Sequence, residues 1–257
     1  VELLRADALQ VHLNSVQETV MPEGGRDFSS WQRSLETIIA ASPVPVVVKE
    51  VGFGLSHRTL ERISELGAQI ADVSGKGGTD FLRIEDARRT DVQGSYAFLS
   101  GFGQSAMACL LDAPASGPAL LASGGVRHPF DVVKAIAAGA KAVGVAGTFL
   151  ETVRTGGAEA LVPLIRQWLE QTTAILALLG AATPAHLSST DMLVRGQLAE
   201  YCRLRGIDTA AFARRSSTAS KDLPPSISTE TSRSRLLGTP PKHFQRRCRR
   251  VGWARFG

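Results

Sequence analysis

The chain has 257 residues, 44% hydrophobic and 21% charged, a balance that excludes a low-complexity chain and leaves room for one sizeable core. Its formal charge of +5 points to an anionic partner only at first sight: residues 215–257 hold ten Lys and Arg against two Asp and Glu, a local +8 that leaves −3 on residues 1–214. Cys109, Cys202 and Cys248 are odd in number, far apart and without a CxxC pair, so a disulfide framework or a zinc site is not expected, and a reducing cytoplasm suits them.

No apolar run is long enough to span a bilayer, so no membrane partner is expected. In chain order, the first strand is predicted over Ala8–Leu13 and ends in His12-Leu13-Asn14, with Gln17 and Glu18 just beyond. A helical period follows over Ser29–Ala41. Val44–Val48 is the second strand and runs into Lys49-Glu50, followed by a helix over Ser56–Leu66. The third strand, Gln69–Val73, opens into the loop Ser74-Gly75-Lys76-Gly77-Gly78-Thr79. Ala119–Ala122 is the fourth, followed by Ser123-Gly124-Gly125-Val126-Arg127 and a helix over Pro129–Ala138. The fifth, Ala142–Val145, leads into Ala146-Gly147-Thr148 and a helix over Ala158–Leu179, with Gly180 and Gly206 as helix stops.

Each strand reads as nearly all apolar, which suits parallel strands covered on both faces. The strand ends step along the chain by 35, 25, 49 and 23 residues, lengths that suit βα units with one insertion after the third. The expectation is an α/β fold, a (β/α)8 TIM barrel of which this chain holds the last five units. Val1 already lies inside what reads as structure, so three units are expected upstream. Residues 1–214 form the barrel part with C-terminal helices. Residues 215–257, rich in Ser, Arg and Pro, read as a disordered basic tail; a nucleic-acid contact or an extension without a role are both open there, and no nucleic-acid partner is expected of the body.

Functional residues of parallel barrels collect at the C-terminal ends of the strands. Paired glycines after the fourth strand, and Ala146-Gly147 after the fifth, either permit tight turns or bring backbone N–H groups against a phosphate, with Arg127 as a fixed charge. Lys49 ends an apolar strand and needs an anion, either Glu50 or a ligand. His12, Asn14, Gln17 and Glu18 place four polar groups within seven residues; one carboxylate with neutral oxygen donors suits Mg²⁺.

These motifs resemble those of the type 2, FMN-dependent isopentenyl-diphosphate isomerases. The resemblance rests on His12-Leu13-Asn14-x-x-Gln17-Glu18, Met21-Pro22-Glu23-Gly24, Val48-Lys49-Glu50-Val51-Gly52-Phe53-Gly54, and Asp72-Val73-Ser74-Gly75-x-Gly77-Gly78-Thr79. Ile84-Glu85-x-x-Arg88-Arg89, Ala122-Ser123-Gly124-Gly125-Val126-Arg127, Val145-Ala146-Gly147 and Arg205-Gly206-Ile207-Asp208 extend it to about residue 215. It implies conversion of isopentenyl diphosphate to dimethylallyl diphosphate with reduced FMN, NADPH as reductant, Mg²⁺, and a homo-oligomer at full length. By position it implies FMN contacts from Lys49, Ser74, Thr79, Gly124, Gly125, Arg127, Ala146 and Gly147. Gln17, His12 and Asn14 are implied at the substrate, and Glu18 at the metal. The alternatives are another FMN-dependent TIM-barrel oxidoreductase or a non-catalytic remnant. A 2-hydroxy-acid oxidase should carry His-x-x-Arg after a late strand, where this chain reads Arg127-His128-Pro129-Phe130.

Overall fold

The computed structural model describes residues 1–90, 95–218 and 251–255. Five strands fall where the apolar runs predict them: β1 (Ala8–His12), β2 (Val46–Lys49), β3 (Ile70–Asp72), β4 (Ala119–Ala122) and β5 (Ala142–Val143). All pair in parallel, in the order β5-β4-β3-β2-β1. Helices α1 (Ser15–Val20), α2 (Trp31–Ala41), α3 (His57–Glu65), α4 (Phe81–Ala87), α5 (Ala106–Leu111) and α6 (Pro129–Ala137) fill the connections. The long step after β3 holds two helices, α4 and α5, which accounts for the insertion.

The strands are not uniformly apolar. Val11, Val46, Val48, Ala71, Val73, Leu120 and Ala122 join one core cluster with Leu35, Leu60, Ile63 and Cys109 from the helices. Residues one step out of phase point the other way, since successive side chains alternate between faces. That second face carries Gln10, His12, Lys49 and Asp72. The register makes His12 the Cα partner of Lys49, and Lys49 that of Asp72. A polar row therefore crosses three strand ends opposite the apolar core.

Helix α7 (Gly147–Leu178) starts eleven residues before the predicted Ala158 and breaks at Gly157, whose backbone leaves the helical region (φ 66°, ψ −169°). It packs on α6 with the 3-10 turn Pro184–Ser189, where Val133, Ala137, Leu176, Ala181 and Leu187 form a second small core. Then come α8 (Gly196–Leu204), α9 (Thr209–Ala213) and α10 (Arg215–Thr218). The chain thus stays packed beyond residue 214: Arg215 donates to the carbonyls of Ala137 and Thr190, and Ser216 to the Asp191 carboxylate. A further strand, β6 (Val251–Arg255), pairs in parallel with β1, in a stretch where the sequence shows no strand pattern. The remainder of the basic tail, Cys248 included, lies outside the described residues. Among the described residues, no helix is long and apolar enough to cross a membrane.

Candidate active site

A cavity of about 960 Å³ opens at the C-terminal ends of the strands. Its wall includes Lys49, Ser74, Thr79, Gly124, Gly125, Arg127, Ala146 and Gly147, so all eight residues expected at a cofactor meet in one place. The fold explains why: each stands at the end of a parallel strand or in the turn after it, and parallel strands present those turns on one side. Gln10, Asp72, Ser123 and Thr148 complete the polar part of the wall.

The ion-pair partner that the structure gives Lys49 is Asp72, not Glu50. The Lys49 ammonium also donates to Ser123 Oγ at 3.1 Å. Ser123 Oγ in turn donates to Asp72 Oδ1 at 3.0 Å, and the Ser74 N–H donates to the same oxygen at 3.1 Å. The argument that demands an anion for Lys49 in an apolar strand applies equally to Asp72, and that was the signal for it: the two are register partners on adjacent strands. Gln10, a polar residue within an apolar run, carries the same signal.

Glu50 turns away from Lys49. One of its carboxylate oxygens accepts the N–H groups of Phe53 and Gly54, each at 2.7 Å, and so closes the loop after β2. Burial pushes its carboxyl up to about 7, against the pull of the Phe53, Gly54 and Val51 N–H groups and of Lys49.

Loop meets loop across the glycines. A Cβ on Gly124 would stand 2.1 Å from the carbonyl oxygen of Gly75, and one on Gly75 would stand 2.0 Å from the backbone N of Ala106. Gly124 therefore serves the packing of the β4 turn on the β3 turn, and Gly75 that of the β3 turn on the start of α5. Gly147 differs: nothing lies within 4 Å of its Cβ position, and it faces the open cavity. The Arg127 side chain is exposed and donates to the Gly77 carbonyl at 3.1 Å, joining the two turns.

His12, Asn14, Gln17 and Glu18 are not part of this cavity wall. His12 stands beside Lys49 in register. Asn14 caps α1: its Oδ1 accepts the Gln17 N–H at 2.9 Å, and its Nδ2 donates to the Val51 carbonyl at 2.7 Å. The second bond ties the start of α1 to the loop that lines the cavity. Gln17 and Glu18 are buried on α1, which packs on α4. Gln17 Nε2 donates to Glu85 at 2.7 Å, and Glu85 and Glu23 both pair with Arg88. Glu85 stands in the motif Ile84-Glu85-x-x-Arg88-Arg89, but its contact with Gln17, 68 positions away, comes only with the fold. Among the described residues no three His, Cys, Asp or Glu cluster as a metal site.

The profile of the FMN-dependent dehydrogenases matches residues 5–195. The chain belongs to that family. Its curated relatives include an isopentenyl-diphosphate delta-isomerase of Nocardia farcinica, 57% identical over 217 residues, and one of Kitasatospora griseola, 56% over 219. A third, from Listeria innocua, is 44% identical over 218 residues. The matches cover 84–85% of this chain but only 59–60% of those proteins, so the chain spans about three-fifths of their length. They bear out the resemblance read from the motifs, and family membership agrees with a segment of a (β/α)8 barrel. A solved mandelate oxidase with benzoyl-formic acid is similar at TM-score 0.46 and 21% identity, over 61% of this chain and 41% of its own, too loosely to bear on chemistry.

Proposed function

We propose that the cavity is an FMN site and that the protein of which these units are part interconverts isopentenyl and dimethylallyl diphosphate. The observation that carries this reading is the convergence of all eight expected FMN residues on one wall. The site suits the group: the cavity is large, its wall is bare at Gly147, and Arg127 stands exposed beside the turns after β3 and β4. Arg127 and the backbone N–H groups of the Gly124-Gly125 and Ala146-Gly147 turns would hold the FMN phosphate. Lys49, Ser74 and Thr79 would hold the rest.

Shifting a double bond adds a proton at one carbon and removes one from another, through a cationic centre. Bound there, FMN reduced by NADPH would supply an electron-rich neighbour and a proton-exchanging group. The chain's own residues orient the pieces. Asn14 ties α1 to the cavity loop, and Gln17, its amide held by Glu85, which pairs with Arg88, would meet the substrate together with His12. Glu18 would hold Mg²⁺, whose charge would offset that of the substrate diphosphate. A homo-oligomer and a reducing cytoplasm complete the reading, and Cys109 and Cys202 are buried free thiols.

The test has two steps. The chain is titrated with FMN while flavin fluorescence is followed, in wild type and in Arg127→Ala. A version carrying the expected upstream units is then assayed anaerobically with FMN, NADPH, Mg²⁺ and isopentenyl diphosphate. Saturable binding weakened by the substitution, followed by dimethylallyl diphosphate formation, is the expected result. FMN binding by the longer version without isomerisation sinks the isomerase reading in favour of another FMN-dependent oxidoreductase.

A further inference from the structure

Asp72 sits where three strand ends meet. It holds Lys49 from β2, Ser123 from the turn after β4, and the N–H of Ser74 in the turn after its own strand. Ser74 is itself in a left-handed backbone conformation, φ 33°, and Asp72 is the group that accepts its N–H. The side chains of Lys49 and Asp72 are only 14% and 10% exposed, and both line the cavity together with Ser123.

A free Lys side chain has four rotatable bonds and one strongly hydrated charge. Here the ammonium has two fixed acceptors, Asp72 and Ser123, which themselves are joined. The arrangement gives the cavity an immobilised cation whose charge is largely compensated.

We infer that Asp72 is the positioning residue of the site: with Ser123 it fixes the Lys49 ammonium at the cavity wall and offsets its charge. The flavin consequence rests on the FMN reading above; the placement of the ammonium does not. With Asp72 neutralised, an uncompensated ammonium faces the ligand and favours any state of it that gains negative charge. For bound FMN that state is the reduced one, so the midpoint potential must rise.

Asp72→Asn keeps the shape and still accepts from Ser74 and Ser123, while the anion is lost. The first readout needs no flavin. The full chain is treated with an amine-acylating reagent at one pH, and the rate at Lys49 is compared by mass spectrometry with that at exposed Lys134. Released from the carboxylate that fixes it, the Lys49 side chain is free to turn toward the reagent, so its labelling relative to Lys134 rises several-fold. The second readout is the potential of bound FMN, expected to rise by the roughly 30 mV that a tenfold change means for a two-electron couple. Ser123→Ala, which leaves the carboxylate in place, gives a smaller rise in labelling and serves if Asp72→Asn does not fold, as judged by circular dichroism. Unchanged Lys49 labelling in the folded variants overturns the inference. Should the wild-type chain take up no FMN, the site reading fails, and the labelling still decides whether Asp72 holds Lys49.

Discussion

Gly124→Ala tests the packing that shapes the cavity. Gly124 has φ +87°, and its Cβ would lie 2.1 Å from the Gly75 carbonyl oxygen and 3.1 Å from the carbonyl carbon. The cost has two parts. A side chain in the left-handed region costs roughly 1–2 kcal/mol. The overlap is with backbone, so no side chain can swing clear; one turn must move, at the roughly 1–3 kcal/mol of an overpacked site. Gly139 separates the parts: it has φ +112° but no atom within 4 Å of its Cβ position, so Gly139→Ala carries the strain alone. In a domain of this size each kcal/mol moves Tm by roughly 2–4 °C. Thermal unfolding by circular dichroism should therefore place Gly124→Ala roughly 2–12 °C below Gly139→Ala. FMN titration of the two variants should show loss of binding in Gly124→Ala alone. Equal melting temperatures for the two variants would refute the loop-to-loop contact and, with it, the shape given to the cavity wall.

Three more predictions follow from buried groups. Glu50, whose carboxyl is raised from 4.5 to about 7 by burial, binds its proton more tightly folded than unfolded. Stability therefore falls by up to about 3 kcal/mol as pH rises from about 4.5 to about 7 and is level beyond that. Glu50→Gln should flatten that slope in melts at pH 5 and pH 8, and an unchanged slope rules the assignment out. Asp112 accepts the Tyr201 hydroxyl at 2.8 Å and Arg205 Nε at 3.1 Å, latching α8 to the end of α5. Asp112→Ala should cost about 1–3 kcal/mol and speed tryptic cleavage around Arg203 and Arg205; wild-type cleavage rates would show the latch to be idle. Burial pushes the Cys109 thiol up to about 12, so iodoacetamide at pH 8 should leave it unmodified until denaturant is added, as read by peptide mass.

The repeating strands, their parallel pairing and the common side on which their ends meet were legible because parallel βα units write themselves as spaced apolar runs. So was the cavity wall, since turn residues after such strands share one end of the sheet by construction. The alternation of faces was less visible: Gln10, His12, Lys49 and Asp72 are single polar residues in runs that otherwise look continuous. The Lys49–Asp72 pair depends on the register of two strands whose paired residues are 23 positions apart, which apolar runs alone do not state. Glu85 reaches Gln17 only through the packing of α4 on α1, both too short to announce themselves by period. Helix α7 begins at Gly147, before the predicted Ala158, and only breaks at Gly157.

The two faces of the sheet answer to different demands. Val11, Val48, Ala71 and Leu120 bury against the helices, and that burial is what holds the strands together. The Lys49–Asp72 pair on the other face adds little to such a fold, because desolvating both charges offsets most of their attraction, and apolar residues of like volume commonly do as well or better. Stability therefore gives no reason for a charged pair at two adjacent strand ends. A ligand does: Lys49, Asp72 and Ser123 all face the cavity, and their mutual bonds leave the ammonium one orientation in which to meet what enters it. Where a sheet keeps an apolar row for its helices and places its charges at the strand ends opposite, the charges mark the site.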